Sequence, residues 1–307
     1  MNKLVNYQSK YIKTLLKLGS HSVLAIIALI AIGSATRVME AGLACPDWPL
    51  CYGTFLPLKH MNLKVFLEWF HRLDAFLVGL LILAQFILSF FWRKYLPDWL
   101  PKIYSLILFL VVLQGSLGAL TVINMLASIT VMSHLIIAFL LLISVISVNQ
   151  NLENINLDSS KIWWKILLTI PLSLTLVQSI IGVRLSSTWS AHLCLAFNQN
   201  CLILDSHKLF ALPVSFSIIL ITLVSIINGD LFKNNWKFLI SMLILMGLQI
   251  TLGIFSLKTN LNMPILIVSH QIVASLLVAI LTKLIFKNPN QNFLINSSNK
   301  KVILSFN

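Results

Sequence analysis

Four histidines, His71, His134, His207 and His270, carry the chemistry most legible in this chain. They form two pairs of identical spacing, 63 residues from His71 to His134 and 63 from His207 to His270. Their surroundings repeat too: His71-Arg72-Leu73 beside His207-Lys208-Leu209, and Ser133-His134-x-Ile136-x-Ala138 beside Ser269-His270-x-Ile272-x-Ala274. Between the members of each pair stands a third match, Leu113-Gln114-x-x-Leu117-Gly118 beside Leu248-Gln249-x-x-Leu252-Gly253. One ancestral unit used twice accounts for this pattern.

A lone imidazole in an apolar segment is ordinarily explained by an interhelical hydrogen bond. A duplicated pair points to a duplicated ligand site, because ionisable groups inside a bilayer are costly and usually functional. Two imidazoles at similar depth on parallel helices suit axial ligation of one haem from both faces. At ~1.5 Å per residue His71 and His134 lie roughly 10 Å below the ends of their apolar segments; His270 repeats this and His207 is expected to be shallower. His21, His60 and His192 lack the arrangement and are given no ligand role.

The halves differ at Glu68, one turn before His71, because Leu204 occupies the matching place before His207. A carboxylate beside a haem edge can take a proton, position an oxidant or stabilise a developing cation. It can also simply start a helix or support Arg72. Asp74, three residues past His71, is unassigned. Arg37, Arg72, Arg184 and Lys208 are placed to pair with haem carboxylates or to snorkel to lipid headgroups. Gly118, Gly182 and Gly253 allow close approach of a helix or a porphyrin.

These residues need helices that cross a membrane. The 307 residues are 58% hydrophobic and 10% charged, too little polar content to cover a soluble globule. Eight stretches reach the length of about 20 apolar residues that a span requires: 19–39, 65–92, 103–122, 126–148, 162–185, 204–227, 237–257 and 263–287. The fold class is therefore an all-α polytopic membrane protein, eight transmembrane helices arranged as two pseudo-symmetric four-helix bundles, residues 1–150 and 151–307. The first stretch lacks a small-residue cleavage site and is read as a retained span.

Fifteen of the 22 basic residues, among them Lys3, Lys161, Lys300 and Lys301, fall in the termini and in the loops near 93–102, 149–165 and 228–237. The lysine and arginine bias puts both termini in the cytoplasm. The net charge of +13 is then an orientation signal and an attraction to anionic lipid, and nucleic acid is not an expected partner. All four cysteines fall on the other side, where an oxidising compartment favours two local disulfides; four free thiols are the alternative. The segment Gly42-Leu43-Ala44-Cys45-Pro46-Asp47-Trp48-Pro49-Leu50-Cys51 would make a stiff cover over the first histidine pair.

The Gly42 to Cys51 segment, Glu68-Trp69-Phe70-His71-Arg72 and the spaced His134, His207 and His270 together resemble the haem A synthase family over essentially the whole chain. The resemblance implies a membrane enzyme of the cell's inner (plasma) membrane that oxidises a methyl group of haem O to a formyl group, giving haem A for cytochrome oxidase. It implies haem O held by His71 and His134 with Glu68 catalytic, and a haem b cofactor held by His207 and His270 that relays electrons. It further implies Cys45 paired with Cys51 and Cys194 with Cys201. Haem O synthase, cytochrome oxidase assembly factors and an unidentified electron donor are the implied partners.

Three rival classes make different demands. A di-haem electron-transfer protein needs the four histidines but neither Glu68 nor a lid, and would spread its haems across the membrane. A transporter is disfavoured by parallel repeats with no broken span. A carboxylate-bridged di-iron centre would need a second Glu-x-x-His beside Glu68-Trp69-Phe70-His71, and the sequence has none.

Overall fold

The computed structural model describes residues 2–153, 162–199 and 201–287, with side chains from residue 10 onward. Lys161, Lys300, Lys301 and the side chain of Lys3, expected on the cytoplasmic side, lie outside the described residues. Long apolar runs leave the backbone no water to bond, so each run closes its own hydrogen bonds as a helix. The helices are α1 (Asn2–Val38), α2 (Leu63–Phe91), α3 (Trp99–Ile123), α4 (Ser128–Glu153) and α5 (Ile162–Ser187). A short α6 (Ser190–Phe197) precedes α7 (Cys201–Ile227), α8 (Gly229–Lys258) and α9 (Pro264–Phe286). Eight of these, all but α6, are long and apolar enough to cross a membrane. The shortest, α9 with 23 residues, spans roughly 35 Å at ~1.5 Å per residue, against a hydrocarbon core of about 30 Å.

Two differences from the sequence reading matter. Helix α1 starts near Asn2 rather than residue 19, because the polar stretch that precedes its apolar part continues the same helix. Helices α4, α7 and α9 begin at Ser128, Cys201 and Pro264, so His134, His207 and His270 each lie six residues in. His207 is therefore not the shallow member; Cys201 to Leu204 belong to the helix as its first turn.

Helix α1 touches α2 and α4, and α3 touches the same two, which closes a four-helix ring. Helices α5, α7, α8 and α9 close a second ring, and α1·α9, α4·α9 and α4·α5 contacts join them. Exchanging α1 with α5, α2 with α7, α3 with α8 and α4 with α9 leaves these pairings unchanged. The first ring is filled by residues such as Ile26, Ile82, Ile107 and Leu142, and the second by Leu168, Ile218, Leu239 and Leu281. Hydroxyls survive in this setting by donating to carbonyls one turn back, as Thr36 does to Ile32 and Thr282 to Val278. A buried trio, Ser22, Gln85 and Tyr104, is bonded across α1, α2 and α3 in the first ring. In the second, Lys287 donates to the Asn234 carbonyl at 2.7 Å and fastens the end of α9 to α8.

The connections that follow α1, α3, α5 and α8 lie at one end of the bundle, called here the disulfide end because both disulfides are there. Each of these helices stops on residues of positive φ: Glu40, Met125 with Leu126, Trp189, and Asn260 with Leu261. The α3 and α8 ends repeat in detail, Leu126 N–H donating to Thr121 and Leu261 N–H to Ser256. A left-handed residue lets the chain turn back while capping the last free carbonyls.

Candidate functional site

Histidines six to eight residues inside α2, α4, α7 and α9 are brought to the interior of the two rings, and each ring of imidazole rests on a glycine of a neighbouring helix. A Cβ added at Gly33 of α1 would stand 2.9 Å from His71 Cε1, and one at Gly182 of α5 would stand 3.0 Å from His207 Cε1. A Cβ at Gly118 of α3 would stand 3.4 Å from His134 Cε1, and one at Gly253 of α8 would stand 3.3 Å from His270 Cε1. Each of the four imidazoles thus has a glycine of a neighbouring helix behind it.

Two of the four have a further partner. Gln249 Nε2 stands 3.0 Å from His270 Nε2, and the Gln249 backbone carbonyl accepts from His270 Nδ1 at 3.0 Å. Gln114 Nε2 stands 3.2 Å from His134 Nε2. The Nδ1 atoms of His71, His134 and His207 are buried with no hydrogen-bond partner. Unsatisfied polar atoms inside an apolar bundle are expensive, so their retention speaks for a ligand site.

The pairing within a ring supports haem. His207 and His270 face each other with ring centres 6.4 Å apart and planes at 62°. Two imidazoles sharing one metal through bonds of roughly 2.0–2.1 Å place their ring centres about 6 Å apart. The donor set, spacing and glycine-lined surroundings thus fit an iron porphyrin held from both faces. Among the described residues no cluster of three or more His, Cys, Asp or Glu is arranged for a bare metal ion.

Glu68 lies one turn before His71 on α2 and Arg72 directly after it, and both reach the segment that follows α1. Glu68 is buried, 3% exposed. Its Oε2 accepts the Cys45 N–H at 2.7 Å and its Oε1 pairs with Arg72. Arg72 donates onward to the carbonyls of Asp47 at 2.6 Å, Leu50 at 2.5 Å and, from its other nitrogen, Cys45 at 3.5 Å. The loop is closed by a Cys45–Cys51 disulfide whose sulfurs are buried with Val65 under Ala44 and Trp69. Gly42 meets Leu126 at the α3–α4 turn, so the loop crosses the top of the first ring. Asp47 ties its tip, accepting the N–H groups of Tyr52 and Gly53 at 2.6 and 2.8 Å. The Gly53 bond chiefly holds that carboxyl below its ordinary range.

The second ring has a smaller cover. Helix α6 carries Cys194, bonded to Cys201 at the start of α7, and Leu185, Ala191 and Leu204 pack there with Leu261. No carboxylate replaces Leu204. Of the four cations expected near porphyrin carboxylates, Arg72 is engaged by loop carbonyls, and Lys208 pairs at the surface with Asp205 at 3.4 Å. Arg184 is exposed. Arg37 alone of the four keeps a buried donor, Nε, without a partner. Asp74 also has a buried carboxylate oxygen without a partner.

Sequence reasoning had singled out the Leu-Gln-x-x-Leu-Gly repeat without a role for its glutamine. The four-residue step from Gln114 to Gly118, and from Gln249 to Gly253, was the signal, since it places both on one helix face. The grip of Arg72 on three carbonyls left no trace in the sequence.

Comparison with known proteins agrees with this site. Residues 18–282 match the family model described as cytochrome oxidase assembly protein, COX15-CtaA. A Heme A synthase of Shewanella oneidensis is 36% identical over 132 residues, 38% of this chain and 39% of that protein. A Heme A synthase of Ehrlichia canis is 24% identical over 315 residues, covering 85% of this chain and 89% of its own length. A Protoheme IX farnesyltransferase of Haloarcula marismortui is 38% identical over 60 residues, only 12% of that protein. With the family model matched from within α1 to within α9, the chain belongs to the COX15-CtaA family of cytochrome oxidase assembly proteins.

Proposed function

We propose that the chain works in haem A biosynthesis, oxidising a methyl group of haem O to the formyl group of haem A. Residues 1–150 take haem O between His71 and His134, and residues 151–307 keep a haem b between His207 and His270. The observation that carries this is the pair of facing imidazoles in the second ring, 6.4 Å apart, in the half that lacks the acid. Its relatives' names, Heme A synthase in Shewanella and Ehrlichia, support haem A as the product.

His207 and His270 would hold the haem b, which when bound would supply one-electron transfer. Turning a methyl into a formyl group removes hydrogen and adds oxygen, so the first ring has to manage protons and charge as well as electrons. Glu68 is the carboxylate placed for this, one turn from His71 toward the disulfide end. The same side chain latches the Cys45–Cys51 loop through the Cys45 N–H and Arg72, so that the charged group and the cover arrive together and water is kept from the site. Arg37 Nε is the donor available to a porphyrin carboxylate on this side, and Arg184 and Lys208 on the other. Arg72 acts through the loop.

The disulfide end faces the oxidising side and both termini the cytoplasm of the cell's inner membrane, following the lysine and arginine bias. A haem O synthase upstream, cytochrome oxidase assembly factors downstream and an electron donor are the partners this reaction needs. The test is pigment extraction and mass analysis of the detergent-purified protein, with His207→Ala and His270→Ala beside it. Haem b together with haem O or haem A is expected in the parent and loss of most haem b in the variants. Two equivalents of haem b and no other haem would replace the enzyme with an electron carrier.

A further inference from the structure

The Leu-Gln-x-x-Leu-Gly repeat has no part in the function just proposed, yet it touches both histidines that enter from α4 and α9. An amide N–H can only donate, so Gln249 Nε2 at 3.0 Å points to an unprotonated His270 Nε2, and Gln114 Nε2 stands in the same way at 3.2 Å from His134 Nε2. In the second ring the other side of the imidazole agrees. The Gln249 carbonyl can only accept, so the proton is on His270 Nδ1, 3.0 Å away. The Gln114 backbone also lies against His134, although its Nδ1 has no partner within hydrogen-bonding geometry. One turn along, Gly118 and Gly253 leave the space in which these two rings sit.

We propose that Gln114 and Gln249 are positioning residues, which hold His134 and His270 in the tautomer and orientation that present Nε2 to iron. This rests on the assignment of those histidines as haem ligands. Before haem arrives, the glutamine amide occupies the Nε2 lone pair and keeps the ring from turning or bonding elsewhere; iron then takes the same lone pair and the amide yields it. His71 and His207 have the glycine but no such glutamine: Gln178 Nε2 donates to the His207 backbone carbonyl at 2.9 Å, not to its ring. Each ring therefore has one imidazole set in advance, on α4 or α9, and one freer imidazole, on α2 or α7. Such a division lets a large porphyrin enter against a fixed ligand and be closed on by the second.

The experiment is a titration of haemin into detergent-purified protein produced under haem limitation, followed by the low-spin absorption spectrum. It compares the parent with Gln249→Leu, Gln249→Glu and His270→Ala, and then with the same changes at Gln114 and His134. Gln249→Leu keeps the backbone carbonyl on Nδ1 and loses only the amide that orients the ring before iron binds, so it is expected to lose about tenfold in affinity at the second site, the low end of what outer partners of ligating histidines are worth. Gln249→Glu, the closer match in shape, is expected to lose at least as much, because a carboxylate would accept from Nε2 and move the proton onto the ligating nitrogen. Binding by Gln249→Glu near the parent's while Gln249→Leu fails would make the role steric and overturn the proposal, as would parental binding by both. Parental binding by His270→Ala would instead overturn the ligand assignment beneath it. Nitrogen NMR of the haem-free parent gives a check that involves no variant: His270 is expected as the Nδ1–H tautomer, and an Nε2–H form would also overturn the proposal.

Discussion

At the scale of single residues, Glu68 does two things that mutation can separate. In the proposed reaction its carboxylate acts beside His71, and in the structure it is one jaw of the clasp on the covering loop. Glu68→Ala is expected to fold and retain haem, because histidines supply the iron bonds, while conversion falls by ~10²-fold or more and haem O or a partly oxidised product accumulates. Normal haem A output from Glu68→Ala would falsify its catalytic role. Arg72→Leu attacks only the other jaw and strands a buried carboxylate, at a cost of about 3–5 kcal/mol for breaking a buried pair. Thermal unfolding should register that loss even in preparations where haem content is unchanged. Gly33 is a third point of control. With a Cβ at 2.9 Å from His71 Cε1, Gly33→Leu is expected to displace that imidazole and abolish pigment in the first ring alone, which difference spectra of the two haems would resolve.

At the scale of elements, the covering loop is the part that turns a helix bundle into a closed site. Residues 41–54 have no regular structure beyond the Cys51–Thr54 bridge, and hold their shape through one disulfide, Asp47 and the Glu68–Arg72 pair. Peptide mapping without reductant should recover Cys45 joined to Cys51 and Cys194 joined to Cys201; cross-pairing between loops would contradict the arrangement. Asp47 gives the loop a pH dependence of definite sign. Its carboxyl is held below the ordinary value by the Gly53 N–H, so its stabilisation is complete above the unfolded value of about 4 and is lost as the pH falls through the lower folded value. Acidification to that range should lower the protection of the Tyr52 and Gly53 amides relative to their intrinsic exchange rates at the same pH, and Asp47→Asn should lower it already at neutral pH. The same logic explains why the second cover is simpler: α6 satisfies its own backbone and needs no buried ion pair.

At the scale of the whole molecule, all four imidazoles and both disulfides sit toward one end of two joined rings. That geometry serves an enzyme working at one face of the membrane better than a conductor across it, since both haems would lie at similar depth. It also fixes a test of orientation. No free cysteine exists among the described residues, so a single introduced thiol can be followed by itself. Lys59→Cys, between α1 and α2, is expected to react with a membrane-impermeant reagent in intact cells, and Lys94→Cys, between α2 and α3, only after the membrane is opened. The reverse result would invert the protein in the bilayer.

Much of this architecture was legible in the amino-acid order. Spans could be read because hydrocarbon admits only backbones that satisfy themselves, which makes length and apolarity sufficient. The paired histidines could be read because a duplicated unit repeats its spacing, and the acid could be read because Glu68 breaks that repeat at Leu204. The tertiary structure decided what these residues touch. Whether Arg72 meets a porphyrin or the loop depended on where residues 45–50 fold, and loops are shaped by contacts far away in sequence. The start of α7, and with it the depth of His207, depended on the first turn Cys201 to Leu204, which the disulfide to Cys194 on α6 holds. Gln114 and Gln249 acquired their role only when α3 was laid against α4 and α8 against α9, since an amide and an imidazole 20 or 21 residues apart are brought within bonding distance by helix packing and by nothing local.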